Sequence, residues 1–315
     1  MGLLPMGIDI LPPYDDRIFK AMLTAPEAKP ALLLLASAII ERPVIDVLVR
    51  NNELPISDTD EKAEQLDINC LIDDDSQADI EMQANRMDEE TGSNHDNLKA
   101  RSIYNLCDLH SSQSSKGKSY NTLVRSYQVM FCGFTVFPDR TAYMNSYSMR
   151  HDIDNELLKN AIRVIFVELT KLNDTLKKPV EDMTDMEKFS IFLRYAENPD
   201  YRKIVNKVIE SKEGLSVAGE VLMNISNDER EKAIFRSRRI AMADRESNRI
   251  TAERNLKIAM AESEKRGVEV GEKRGEKSKA NEMAKIMIID GEKNEKIMRY
   301  TGLTLTEIEA LRNSI

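Results

Sequence analysis

Three cysteines and three histidines are all that the 315 residues offer to thiol or soft-metal chemistry. Cys70, Cys107 and Cys132 lie far apart, odd in number and outside any CxxC or Cys/His spacing, which argues against a zinc module or a disulfide framework. Two of them sit in apolar runs and read as small core residues. His95, His110 and His151 fall in no ligand spacing and read as surface or loop residues. There is no Gly-rich phosphate loop, no Walker motif and no Ser/His/Asp order, so nucleotide hydrolysis and triad chemistry are set aside. The apolar run from Ala31 to Ile40 falls well short of the roughly 20 residues that span a bilayer, and reads as a buried core helix. Residues 1–16 carry Pro5, Pro12 and Pro13 and no basic leader pattern, so the expected location is the cytoplasm, away from membranes. Positive charge is also scarce. Against 54 acidic residues stand 45 Lys and Arg, a net charge of −9. That balance disfavours a protein that coats DNA statically, but it admits an enzyme that meets DNA through a cation or a local basic patch.

What is present suffices for one α/β domain with an appendage. Hydrophobic residues make up 41% of the chain and charged residues 31%, with the excess charge in the C-terminal third. A helix is expected to open near Asp16, with Asp16 as a possible cap, and another over residues 30–41 after Pro26 and Pro30. Residues 43–56 read as a strand or an extended connection. Residues 94–112 read as a helix, 127–137 and 141–148 as strands rich in aromatic and β-branched side chains. The run Ile162, Val164, Ile165, Phe166, Val167 suits a strand buried on both faces. Helices are expected over 184–197 and 199–211.

Residues 64–85 carry the most information. Leu66, Ile68, Cys70 and Ile72 alternate with polar residues, and after Asp73-Asp74-Asp75 so do Ala78, Ile80, Met82 and Ala84. Period two on both sides of a polar turn predicts a β-hairpin. The register that opposes Ile68 to Ile80, placing both on the core face, sets Asp67 opposite Glu81, with Gln83 pointing the same way. Opposed Cβ atoms lie about 4.5–5.5 Å apart, and two carboxylates so placed repel unless a cation joins them or one takes a proton. Mg²⁺ suits such a site, since it accepts one or two carboxylates and keeps waters. The other reading is an amphipathic hairpin whose acidic face is simply solvated. In either case the polar face is expected to meet solvent, so Glu81→Ala should leave the fold intact and relieve repulsion. Lys99 and Arg101, on the following helix, are candidates for a phosphate contact or for ordinary solvated charges.

The order Leu66-Asp67-Ile68, turn, Ile80-Glu81-Met82-Gln83 resembles the core of the recombination-promoting nuclease and transposase family, within the PD-(D/E)XK nuclease superfamily. Asp16-x-x-Phe19-Lys20, Arg101-Ser-Ile-Tyr104, Gly117-x-x-Tyr120 and Val167-Glu168-Leu169-x-Lys171 fit the same family, as does the ending Thr301-Gly302-Leu303-Thr304-x-x-Glu307-Ile308. The resemblance implies a restriction-endonuclease-like α/β core, a mixed sheet flanked by helices, followed by a long charged helical tail. It implies Asp67 and Glu81 as metal ligands, with Mg²⁺ or another divalent cation as cofactor, and DNA as substrate. Gln83 stands where other nucleases of the superfamily carry lysine, so no general base is named. Asp16 is the candidate for an additional acidic or structural residue from the first helix.

From about Asp228 charged residues dominate and aromatics nearly vanish, which predicts a long solvated or coiled-coil-like helix. Gly267, Gly271 and Gly275, spaced by four, share one side of a helix and are expected to loosen it, the alternative being the close approach of another backbone. Thr304 and Glu307 have capping-box spacing in a small terminal unit. The expected division is 1–225 nuclease-like, 226–280 extended helix and 281–315 helical end unit. Two functions fit: a metal-dependent DNA endonuclease associated with recombination or mobile DNA, or a catalytically weak nuclease-fold protein acting through partner binding or self-association of its tail.

Overall fold

The computed structural model describes residues 3–50, 68–84, 94–114, 116–117 and 119–314. Two compact units divide the chain, Met1–Ser237 and Arg238–Ile315. The first is built on a six-stranded mixed sheet in the order β1-β2-β3-β4-β6-β5. Its strands are β1 (Val47–Val49), β2 (Ile68–Ile72), β3 (Ser76–Gln83), β4 (Arg125–Cys132), β5 (Met144–Ser148) and β6 (Ile162–Glu168). The expected hairpin forms: β2 and β3 are antiparallel with Ile68 opposite Ile80 and Ile72 opposite Ser76. Between them Asp73 takes a left-handed backbone with φ 45°, and its carboxylate accepts from the backbone N–H of Ile45 and Asp46. Those bonds, with the Arg42 guanidinium beside it, hold the Asp73 carboxyl below its usual range. β3 and β4 are parallel, which requires a crossover, and α3 (Asn94–Ser111) supplies it.

Each face of the sheet is covered by a different set of helices. On one, Ile68, Cys70, Ala78, Ile80, Val129, Phe131, Ile165 and Val167 pack against α1 (Asp16–Thr24), α2 (Lys29–Ile40), α4 (Asp185–Tyr195), α5 (Arg202–Glu210) and α6 (Glu213–Asn227). Phe19 of α1 meets Phe131 of β4 with ring centroids 5.7 Å apart. The apolar run lies in α2, whose Pro30 stands in the first turn where its missing N–H costs nothing. On the opposite face α3 lays Leu98 and Leu106 over Met130, Cys132, Val164 and Phe166. β6 is therefore packed on both sides, as its continuous apolar run requires. Cys70 and Cys132 are buried and Cys107 is exposed; burial pushes the Cys70 thiol up to about 12. Among the described residues no single helix is long and apolar enough to cross a membrane.

In the second unit most of α7 (Glu229–Ile289), a 61-residue helix that begins in the first, is joined by α8 (Asn294–Thr301) and α9 (Leu305–Arg312). Ala284, Ile288, Ile297, Leu303 and Ile308 form a small core there. Thr304 and Glu307 make the expected capping box, and Lys277 adds an ion pair to Glu307 at 2.8 Å. These contacts draw the Glu307 carboxyl down to about 2. The expected loosening at the three glycines does not occur: α7 runs through Gly267, Gly271 and Gly275 without a break. Each costs about 1 kcal/mol against alanine, but good helix formers flank them, and propagation within an existing helix is far easier than nucleation.

Candidate active site

Glu81 lies on β3 in the row Gln77, Asp79, Glu81, Gln83, which faces α3. It is 8% exposed. The expectation that this face meets solvent is thus corrected. Residue periodicity separated the two faces properly, but α3 crosses the polar one and buries it. A buried carboxylate needs compensation, and Glu81 receives it on both oxygens. Its Oε1 accepts from Asn105 Nδ2 at 2.8 Å and Gln128 Nε2 at 3.1 Å. Its Oε2 accepts from Arg101 Nη2 at 2.9 Å and Gln83 Nε2 at 3.3 Å. Arg101 and Asn105 are four residues apart on α3 and so reach the sheet from one side of that helix.

The other expected site residues divide clearly. Gln83 points with Glu81, as alternation demands. Arg101 reaches Glu81, whereas Lys99 turns to Asp96 at 3.2 Å and to the face of the Phe137 ring at 5.2 Å. Asp16 does not cap α1; Asp15 does, accepting from the N–H of Arg17 and Ile18. Freed of that task, the Asp16 carboxylate accepts from the backbone N–H of Ala84 at 3.1 Å, just beyond Gln83. Asp67 lies outside the described residues; the register from Ile68–Ile80 to Ile72–Ser76 is the expected one. His95 has its side chain outside the described residues. His151 is exposed. His110 is not a surface residue: it is half-buried on α3, with Nδ1 2.9 Å from Ser126 Oγ. Burial, then the charge of Lys159, lowers its pKa below 6.5.

Three contributors were not foreseen. Gln128 interrupts an apolar strand run, and a lone amide in such a run signals a polar partner inside. Asn105 follows Arg101 at helical spacing. Gly133, directly after β4, donates its N–H to Gln83 O at 2.8 Å, and a Cβ there would stand 2.4 Å from Ala84 O. Only glycine lets the chain pass so close to the end of β3.

Donors for a hard cation here are all oxygens. Among the described residues no three Asp, Glu, His or Cys side chains gather into a cluster. Glu81 is nevertheless flanked on its own strand by buried Asp79, and the fully buried Gln128 leaves its Oε1 without a hydrogen bond. For a divalent cation the site would offer the Glu81 carboxylate and the orphaned Gln128 carbonyl, hard oxygen donors of the kind such ions take.

Searches among curated proteins and among solved structures gave no match. The family model for PD-(D/E)XK nuclease family transposases matches residues 13–252, a span that takes in the whole sheet, α3 and the Glu81 site. The mixed sheet flanked by helices, the β2–β3 hairpin and the long charged helix agree with that match, and the chain belongs to the PD-(D/E)XK nuclease family transposases.

Proposed function

We propose that the protein is a divalent-metal-dependent deoxyribonuclease that hydrolyses phosphodiester bonds at Glu81 and Asp67, in recombination or the movement of DNA. Family membership gives the nuclease-like, mobile-DNA-related class. The observation that carries the finer reading is the Glu81 carboxylate, buried beneath α3 yet supported on both oxygens. Folding a charge into that position is costly, and the family's chemistry gives a reason for keeping it there. Asp67 and Glu81 would hold the divalent cation, which would supply Lewis-acid activation of the phosphate and of a water.

The protein's own groups orient and neutralise. Asn105 and Gln128 fix the Glu81 carboxylate. Gln83 directs an amide to the same spot and can orient a water or a phosphate oxygen. Arg101 holds Glu81 in the substrate-free state and is placed to take a non-bridging phosphate oxygen, with Lys99 on the same helix adding positive charge. Asp16 secures the end of β3 and so the position of Gln83. The test is plasmid nicking by the purified full chain with Mg²⁺, with EDTA, and with Glu81→Gln. Nicking that requires Mg²⁺ and Glu81 supports the reading; nicking indifferent to both refutes it.

A role for the tail in self-association has its own support. Ile250, Leu256 and Val268 on α7 are more than half exposed, apolar surface that pairing with a second helix would cover. Truncation after Ser237 should then lower the oligomeric state measured by light scattering. An unchanged mass ratio would remove the tail as the association element.

A further inference from the structure

The carboxylate site does not use a second feature of the same sheet face. Tyr147 of β5, Phe137 in the β4–β5 connection and Phe166 of β6 form a three-ring cluster. Phe137 and Tyr147 lie 5.8 Å apart, and each meets Phe166 edge-on at 5.3 and 6.2 Å. Two cations cover it. The Arg140 guanidinium stands 5.4 Å from the Phe137 centroid and 5.6 Å from that of Tyr147, and Lys99 Nζ stands 5.2 Å above Phe137. Arg140 also donates to Asn145 at 3.2 Å, and Lys99 is shared with Asp96. Tyr147 remains 37% exposed at the sheet edge.

The platform is held rigidly. Glu168, wholly buried at the end of β6, accepts from the backbone N–H of Val136 at 2.6 Å and Phe137 at 3.0 Å, and from Asn145 Nδ2 at 3.2 Å. Lys171 pairs with it at 2.7 Å and donates to Phe137 O at 2.6 Å. The Glu168-Leu169-x-Lys171 segment therefore clamps the loop that presents the rings. A fully buried carboxylate is an expensive way to fix a surface loop, even with the partly exposed Lys171 beside it, and it suits a loop whose rings must keep their place.

We propose that this platform seats an unpaired base of the DNA strand presented to Glu81, so that the substrate class is single-stranded or frayed DNA. The inference rests on the DNA-cleaving reading above. Of the three rings Tyr147 offers the exposed surface, beside the exposed Arg140 guanidinium, and an aromatic side chain next to a cation is what binds an unpaired base, because every base has a π-face and every nucleotide a phosphate. A paired base has its faces covered by its neighbours and cannot reach a ring. The placement also fits. β5 is three strands from β3, about 14 Å at the usual strand spacing, a gap that a few linked nucleotides bridge while remaining on one face of the sheet.

The test is fluorescence anisotropy in EDTA, where nothing is cut, with a labelled oligothymidylate and a labelled duplex of equal length. The full chain is compared with Tyr147→Leu, Tyr147→Phe and the exposed Arg140→Ser. The expected result is that Tyr147→Leu and Arg140→Ser each weaken single-strand binding about tenfold, within the range one stacked base contributes. Tyr147→Phe should retain it, and duplex binding should not change. Wild-type affinity in Tyr147→Leu, equal losses on both probes, or tighter binding of an equivalent oligouridylate RNA would overturn the inference. Because binding is read without metal, an inactive enzyme would refute the nuclease reading and leave this result interpretable, and the reverse also holds.

Discussion

Along β3 and the start of β4 the two faces of the central sheet are buried to a similar degree and made of opposite material. Beneath α1, α2 and α4–α6 the strands present Ile68, Ile80, Val129, Phe131 and Val167, which need only close packing. Beneath α3 they present Gln77, Asp79, Glu81, Ser126 and Gln128, each nearly or wholly inaccessible. The apolar face stabilises through area. The polar face costs desolvation and recovers it only if every group finds a partner. Gln77 bonds Leu109 O and Ser126 Oγ, and Glu81 is held by four donors. A sheet stabilised on one side can carry an expensive arrangement on the other, and that expensive side is where we propose the chemistry.

The comparison can be broken from either side. The largest change in stability should come from the apolar face: Phe131→Ala removes the ring packed on Phe19 and should lower unfolding free energy by about 3–5 kcal/mol in chemical denaturation. The protein that still folds should cleave at the wild-type rate at low temperature. Next, Glu81→Ala should cost about 1–3 kcal/mol, because Arg101, Asn105 and Gln128 lose their acceptor inside the fold. That reverses the stabilisation expected for an acidic residue on an open face. A Glu81→Ala protein as stable as wild type would show that the polar face is more hydrated than its geometry implies. Replacing Asn105 by Ala should cost about 1 kcal/mol and reduce cleavage more than stability alone explains, measured as rate at saturating Mg²⁺.

The smallest expected effect is that of pH. His110 links α3 to Ser126, and its folded pKa lies below the unfolded value of 6.5 because burial and Lys159 disfavour the cation. Its contribution is therefore present above pH 6.5 and is lost as pH falls through the folded pKa. Urea midpoints should decline from pH 7 to 5, and His110→Gln should flatten that decline. An unaltered slope in the variant would assign the pH dependence elsewhere.

Much of this was legible in the chain. Period-two alternation located β2 and β3 and their register, since a shift of one residue would have placed Ile68 and Ile80 outside the core. Composition located α7. What failed was anything that depends on a distant element. Alternation says that Glu81 and Ile80 face opposite ways, but not that α3 covers both Glu81 and Gln77. Asp15 and Asp16 are chemically equal candidates for a cap, and only the packing of α1 beside the end of β3 shows that Asp16 serves Ala84. Lys99 and Arg101, two residues apart on a helix, point to different neighbours, Phe137 and Glu81, which their spacing alone does not show. The glycines of α7 were judged by local propensity, while helix continuity is set by the whole segment.

Glu81 is the proposed chemical centre of the polar face. The decisive measurement is the Mg²⁺-dependent initial rate of DNA cleavage by Glu81→Gln, checked by circular dichroism to be folded, against the wild type. The variant keeps the size of the side chain and part of its hydrogen bonding, so the account predicts a folded protein whose rate falls at least a hundredfold, a loss typical of removing one group that stabilises the transition state. A folded Glu81→Gln protein that cleaves at the wild-type rate would contradict it.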